Sequence, residues 1–405
     1  MSGSRPLLVR ADRAITLDGP VVEDAALLVE GGAIAAVGPA AELQARAPAA
    51  ERIDLPGMTL LPGLINAHAH LDYTRLRGRL PGGASFSKWA MAMIAAKRRL
   101  TAADYEASVR SGLEELMRHG TTTVLEVSSS YAIARVAAET PVRLAVFGEV
   151  LGLNPLRAGR TIRRFRRAMV AAWPPNVIVQ GMAPHAVYSI SKRLMKLIRR
   201  ELERRPMSIT VHLLESSNEP RINPWFDPRR AVSVLDNYGL LEERTLGVHV
   251  NYPDDEAVAM LAARGASVVH CPGSHRFFGH DPFPLEKLRE AGVAICLGTD
   301  SLASNEALDL VREMRILLEA HPEVTAEEAL RMATVAPARF LGLEPKLGVL
   351  RPGALADVIA VRTPACLPGE ACASVVRHEG EMPWVMIGGR VVRSPEHRPG
   401  ASGYE

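Results

Sequence analysis

The chain has 405 residues, 47% of them hydrophobic and 23% charged, and a net charge of +3. This size and balance exclude a disordered or fibrous chain and leave room for one barrel-sized domain with a smaller companion. The small net charge gives no electrostatic footprint for nucleic acid.

The first stretch, MSGSRPLLVRADRAITLDG, has no unbroken apolar core of signal-peptide length. Nothing approaches the ~18 consecutive apolar residues of a membrane span, so a cytoplasmic protein with no membrane partner is expected. Cys271, Cys296, Cys366 and Cys372 show no CxxC spacing and read as free thiols.

Residues 1–58 read as short strands joined by tight turns. Ile15-Thr16-Leu17 runs into Asp18-Gly19, Ala26 to Glu30 into Gly31-Gly32, and Ala33 to Val37 into Gly38-Pro39. The far end repeats this texture. Asp357 to Val361 and Trp384 to Ile387 are strands, and Gly388-Gly389 precedes Arg390-Val391-Val392. Residues 1–58 and 344–405 are expected to form one small composite β-sandwich domain.

Residues 59–343 alternate apolar runs of strand length with longer amphipathic stretches. The runs are Leu60–Ala67, Thr122–Val127, Arg143–Val150, Val177–Met182, Ser208–Leu213, Leu246–Val250, Ala266–His270 and Ala294–Gly298. Parallel strands buried on both faces read this way. Helical spacing marks Ala102–His119, Ser191–Arg205, Asp254–Arg264 and Pro284–Ala291. Eight such units predict an α/β fold, a (β/α)8 TIM-type barrel that carries the catalytic site.

Active sites of this barrel sit at the C-terminal ends of the strands. Run one ends in His68-Ala69-His70 and run three in Glu149. His185 follows run four, and run five holds His212 and leads to Glu215. Run six reaches His249, run seven His270, and run eight Thr299-Asp300. Six of the 12 histidines stand at these points. A lone strand-end histidine is ordinarily a packed residue. Two at i and i+2 project on one strand face and can reach one ion. His68, His70, His212 and Asp300 are therefore the expected ligands of one divalent metal ion. The donor set suits zinc, with iron, manganese or cobalt as substitutes. No lysine ends run four, where a bridging lysine of a two-metal site would stand.

Four segments carry a resemblance: Pro62-Gly63-Leu64-Ile65-Asn66-Ala67-His68-Ala69-His70, Pro184-His185, His212-Leu213-Leu214-Glu215, and Gly298-Thr299-Asp300-Ser301-Leu302-Ala303-Ser304-Asn305. The tail Gly348 to Asp357 adds to them. The sequence resembles the amidohydrolase superfamily over nearly its whole length, in the branch of cytosine and guanine deaminases and triazine hydrolases. The resemblance implies a metal-dependent hydrolase of carbon–nitrogen bonds. It points to a deaminase of an amino-substituted N-heterocycle or purine nucleoside, aminodeoxyfutalosine- or adenosine-like, that releases ammonia through a metal-activated water. A chlorohydrolase or another C–N hydrolase of triazine or amide type is the alternative on the same site. A homodimer and a small-molecule substrate are implied as well.

Hydrolytic deamination needs a proton shuttle that is not a ligand, and Glu215 fits. Asp300 would take a proton from the water, and His249 would stand beside it. The resemblance makes His185 a substrate contact. His270 and Glu149 are further candidates, while Ser304 and Asn305 are expected to brace the Asp300 loop. Phe86 and Trp89, in the loop after His70, are a candidate wall for a planar ring.

Two segments depart from the family pattern. Cys271 to Phe283 carries extra His and Phe residues, which suggests a remodelled pocket. Ala95-Ala96-Lys97-Arg98-Arg99 has no carboxylate where adenosine-type relatives hold the ribose hydroxyls. Arginines between 157 and 167 read as a solvated helix face, or as Arg157 or Arg160 meeting an anionic substrate group.

Overall fold

The computed structural model describes residues 5–82, 86–169, 172–217, 219, 227–364 and 368–395. Two sheets dominate it. The first is built from both ends of the chain. It comprises β1 (Leu7–Ala14), β2 (Val22–Glu30), β3 (Ala33–Pro39) and β4 (Glu51–Pro62). The barrel strands follow as β5 (Leu64–Ala69), β6 (Thr121–Ser128), β7 (Arg143–Val150), β8 (Val177–Pro184), β9 (Ile209–Leu213), β10 (Thr245–His249), β11 (Ser267–His270) and β12 (Ile295–Leu297). The last three, β13 (Val358–Arg362), β14 (Trp384–Ile387) and β15 (Arg390–Arg393), return to the first sheet.

That first sheet has seven strands in the order β15-β14-β13-β4-β1-β2-β3. One face buries Val9, Leu27, Leu60, Val358, Trp384 and Met386. Gly31 and Gly32 turn β2 into β3 with φ of 56° and 84°. Two consecutive positive φ values are what a two-residue hairpin matched to strand twist requires.

The second sheet has eight strands in sequential order from β5 to β12, as the eight apolar runs predict. Its strand pairs from β7 to β12 are all parallel. It closes between the first and last strands. Thr299 and Asp300 donate their N–H groups to the His68 carbonyl at 3.1 and 3.0 Å, and Ala69 forms a parallel bridge with Asp300. Gly298 permits this approach, since a Cβ there would lie 2.9 Å from the His68 backbone nitrogen and Cβ.

One predicted element differs. Leu60–Ala67 is not one strand, because β4 ends at Pro62 and β5 begins at Leu64. The break falls on Gly63, where a Cβ would meet Thr122 Oγ1 at 2.2 Å. There the backbone changes partners: Gly63 N bonds Asp357 O and Leu64 N bonds Gly120 O.

The helical stretches fall at Ala102–Arg118, Lys192–Arg204, Asp255–Ala263 and Leu285–Glu290. Ser191 and Asp254 cap the second and third through their side-chain oxygens. Among the described residues no helix is long and apolar enough to cross a membrane. Cys271, Cys296 and Cys372 are free thiols, and Cys366 lies outside the described residues.

The chain divides into two compact units. One comprises Met1–Ile65, Glu114–Thr123 and Asp309–Glu405; the other comprises Asn66–Leu113 and Val124–Leu308. Every candidate site residue belongs to the second.

Candidate active site

The C-terminal ends of β5, β9, β10 and β12 converge. His68, His70, His212, His249 and Asp300 are all buried there. Two groups have ligand atoms within 4.8 Å of one another: His68, His212 and His249, and His68, His70 and Asp300. His70 Nε2 and His212 Nε2 face each other at 3.3 Å. Two nitrogens bound at ~2.05 Å to one tetrahedral ion lie about 3.3 Å apart. His68 Nε2 and His249 Nε2 are buried without a hydrogen-bond partner, and Asp300 Oδ1 stands 3.7 Å from the first. Buried donors left this way are expensive unless an ion completes them. The residues fit a divalent metal.

Each side chain is aimed by a neighbour. His212 Nδ1 and backbone N both bond the His185 carbonyl, at 2.8 and 2.9 Å, which turns Nε2 inward. Asp300 Oδ2 accepts from Ser274 Oγ at 2.8 Å and Ser304 Oγ at 2.9 Å, leaving Oδ1 toward the imidazoles. Asn66, two residues before His68, accepts from His68 N and Thr299 N and donates to Thr299 Oγ1. Asn305 bonds Thr299 O at 2.7 Å. Ser304 and Asn305 thus brace the Asp300 loop as expected.

Electrostatics separate the groups. Burial holds His70 down to about 4 and His249 to about 3, so both are neutral imidazoles. Burial alone would raise the Asp300 carboxyl, but His68, His249 and His70 together hold it well below the usual range. Burial, with Asp300 and Glu219 nearby, pushes Glu215 well above it. Glu215 Oε1 is 3.5 Å from His249 Nε2. One carboxyl pushed up and one held down around the same imidazole cluster suit acid–base work.

The backbone here is strained. Leu214, His249, Val250 and Asp300 have φ of 48°, 72°, 51° and 56° without being glycine. Glu215 is pinned at both ends of its peptide unit. Its N–H donates to Glu219 Oε1 at 2.7 Å and its carbonyl accepts from Asn251 Nδ2 at 2.8 Å.

The remaining candidates lie around this centre. His185, partly accessible, has its ring 5.1 Å from His212 and its Nδ1 3.0 Å from Ser189 Oγ. Glu149 accepts a short hydrogen bond from Ser129 Oγ, which in turn accepts from Tyr73 OH at 2.8 Å. Burial would raise Glu149, but His185, Lys97 and His70 hold it below its ordinary value. Phe86 and Trp89 pack with Phe278 at ring distances of 5.7 and 5.1 Å, and Trp89 Nε1 bonds Ala303 O. Phe278 comes from one segment that departs from the family pattern, and it packs on the helix Phe86–Lys97, whose end holds Ala95, Ala96 and Lys97 of the other. His270 stacks on Phe283 at 3.9 Å and is in neither ligand group.

The sequence reading passed over Asn66, Asp72, Asn251 and Ser274. Asn66 sits two residues before His68 on the same face of β5, and that spacing was its signal, whereas Asn251 lies beyond the end of β10, after two residues with left-handed φ, and gave none. Asp72 gave none either. It receives Ser129 N, Ser130 N and Ser130 Oγ, fastening one rim loop to another.

Residues 59–392 match the Amidohydrolase family, and residues 25–50 match the imidazolonepropionase-like composite domain of bacteria. A 5-methylthioadenosine/S-adenosylhomocysteine deaminase of Pyrococcus furiosus is 33% identical, over 90% of each chain. A protein of the same name from Syntrophobacter fumaroxidans is 34% identical, over 91% of this chain and 88% of that one. The zinc-bound crystal structure of an adenosine deaminase from Xanthomonas campestris superposes with a TM-score of 0.84 at 26% identity, covering 96% of this chain and 93% of that one. On the extent of these matches, the chain is a member of the amidohydrolase family.

Proposed function

We propose that the protein is a one-metal hydrolytic deaminase of a purine nucleoside or related amino-substituted N-heterocycle, releasing ammonia. The observation that carries this is the Glu215–His249 pair, 3.5 Å apart, beside the imidazole and Asp300 cluster. His68, His70, His212 and Asp300 would hold the ion, zinc by its donor set. When bound, the ion supplies Lewis acidity that makes water a usable nucleophile near neutral pH.

The chain's own groups carry the protons. Asp300 accepts one from the attacking water, assisted by His249. Glu215 protonates the ring nitrogen as the water oxygen adds to the amino-bearing carbon. The tetrahedral carbon then expels ammonia, which leaves with the proton Asp300 took from water, and the remaining hydroxyl proton returns to Glu215 as the C=O bond forms. His185 and Glu149 hold the ring and its substituent, and His270 shapes the pocket. Phe86 and Trp89, with Phe278, close its aromatic side. The family resemblance supports a homodimer, and the sequence reading supports a cytoplasmic setting.

The test is ammonia release by the zinc-loaded protein from aminodeoxyfutalosine, adenosine, 5-methylthioadenosine, S-adenosylhomocysteine, guanine, cytosine and aminotriazines. Glu215→Gln should keep its metal and lose about 10²–10⁴-fold in kcat. Near-normal turnover by that variant would overturn the shuttle. Silence across the panel with metal confirmed would overturn deamination and move the reading to another leaving group.

A further inference from the structure

A cleft of about 550 Å³ is lined among others by Lys97, Tyr105, Ser129, Glu149, Leu151 and Arg164. Glu149 is its link to the catalytic cluster: Ser129, which donates to Glu149, accepts from Tyr73 OH at 2.8 Å, and the Tyr73 ring stacks on that of His70 at 5.8 Å. Glu149 Oε2 is taken by Ser129, and among the described residues no hydrogen bond is made to Oε1.

Two of the three cations that line the cleft are held differently from other arginines of the chain. The third, Arg135, pairs with Glu106. Arg166, on the same helix as Arg164, pairs with Glu201. Arg10, Arg110, Arg264 and Arg339 are paired too. Arg164 has no carboxylate among the described residues within ion-pair distance. Its guanidinium lies 5.3 Å over the Tyr131 ring and its Nη2 reaches Ser129 O at 3.4 Å. Lys97 is likewise without a close carboxylate, its Nζ 4.8 Å over the Tyr73 ring. An aromatic face positions a cation without neutralising it. One carboxylate, Glu149, therefore stands against two such cations, and the concave surface keeps a positive excess. Arg164, rather than Arg157 or Arg160, is the arginine of the 157–167 cluster that lines this cleft.

We propose that this cleft receives the tail of the substrate and that the tail is anionic: Glu149 accepts from a hydroxyl near the ring, and Lys97 and Arg164 pair with a carboxylate or phosphate beyond it. The proposal rests on the deaminase reading for the ring end only. It assigns to Lys97, in the stretch that lacks a carboxylate, the role of selecting charge.

The test compares adenosine with adenosine 5′-carboxylic acid and adenosine 5′-monophosphate on the zinc-loaded protein. Binding is measured by calorimetry and turnover by ammonia release. Both anions, or one of them, should bind about tenfold or more tighter than adenosine at low salt, and the gain should shrink as salt rises. The stronger of the two tells carboxylate from phosphate. Lys97→Met and Arg164→Met should each lower the anion-to-adenosine ratio by about threefold to tenfold, and Arg163→Met, outside the cleft, should leave the ratio alone. An anion preference that the variants abolish, without ammonia release, keeps this proposal and sinks the deaminase reading. Equal binding of the three ligands, no binding of any, or a ratio that both variants leave intact overturns the proposal even if ammonia is released.

Discussion

The seven-stranded sheet and the rim of the barrel bury opposite kinds of residue. The sheet takes Val9, Leu27, Leu60, Val358 and Trp384 out of water. The rim buries five imidazoles, His68, His70, His212, His249 and His270, together with Glu149, Glu215 and Asp300. The backbones differ in the same sense. In the sheet, left-handed conformations fall mainly on turn glycines such as Gly31, Gly32, Gly388 and Gly389, with Leu17 and Asp24 beside them. At the rim they fall on His249 and Asp300 themselves. Apolar burial is favourable in itself, by roughly 25 cal/mol per Å². Buried imidazoles and strained φ values cost free energy, of order 1–3 kcal/mol for each strained residue. The rim therefore reads as a place organised for a ligand, and the sheet as a place organised for folding.

Substitutions can break this contrast or sharpen it. The largest effect is expected from Asp300→Ala, which should lose bound metal and, with it, at least about 10³-fold in kcat/KM. Metal analysis and ammonia release on one preparation check this, and activity with the metal gone would refute it. Trp384→Ala should do the reverse. It should cost about 3–5 kcal/mol of stability in denaturant titration while the folded protein keeps its metal affinity. A large fall in affinity there would mean that the two regions are not separable. The smallest effect should come from Ser304→Ala, which removes one of two hydroxyls on Asp300 Oδ2. Metal affinity should drop about tenfold to a hundredfold with little change in stability.

Much of this contrast was legible in the chain. All eight barrel strands lie within a few residues of their apolar runs, because strands buried on both faces must be continuously apolar. Strand-end chemistry marked His68, His70, His212, His249 and Asp300 before any geometry was in view. Gly63 was hidden for a simple reason. A tight steric fit against Thr122 leaves no trace in a run of hydrophobic residues. Asp72 and Lys97 were hidden for another. Their partners are Ser129, Ser130 and Tyr73, and contacts of that kind between separate segments have no periodicity to betray them. Even the cationic lining was half visible as a cluster of arginines, but helix geometry decided which of them faces the cleft.

The seam that joins β5 to β12 has a consequence for how the protein is made. His68 offers its carbonyl to Thr299 and Asp300 while its ring belongs to the same ligand cluster as the Asp300 carboxylate. The two residues come from the first and last barrel strands to leave the ribosome. A nascent chain holding His68, His70 and His212 has three donors on hand long before the fourth exists. On the proposed ligand set, the complete seat for an ion exists only once the ring of strands has shut.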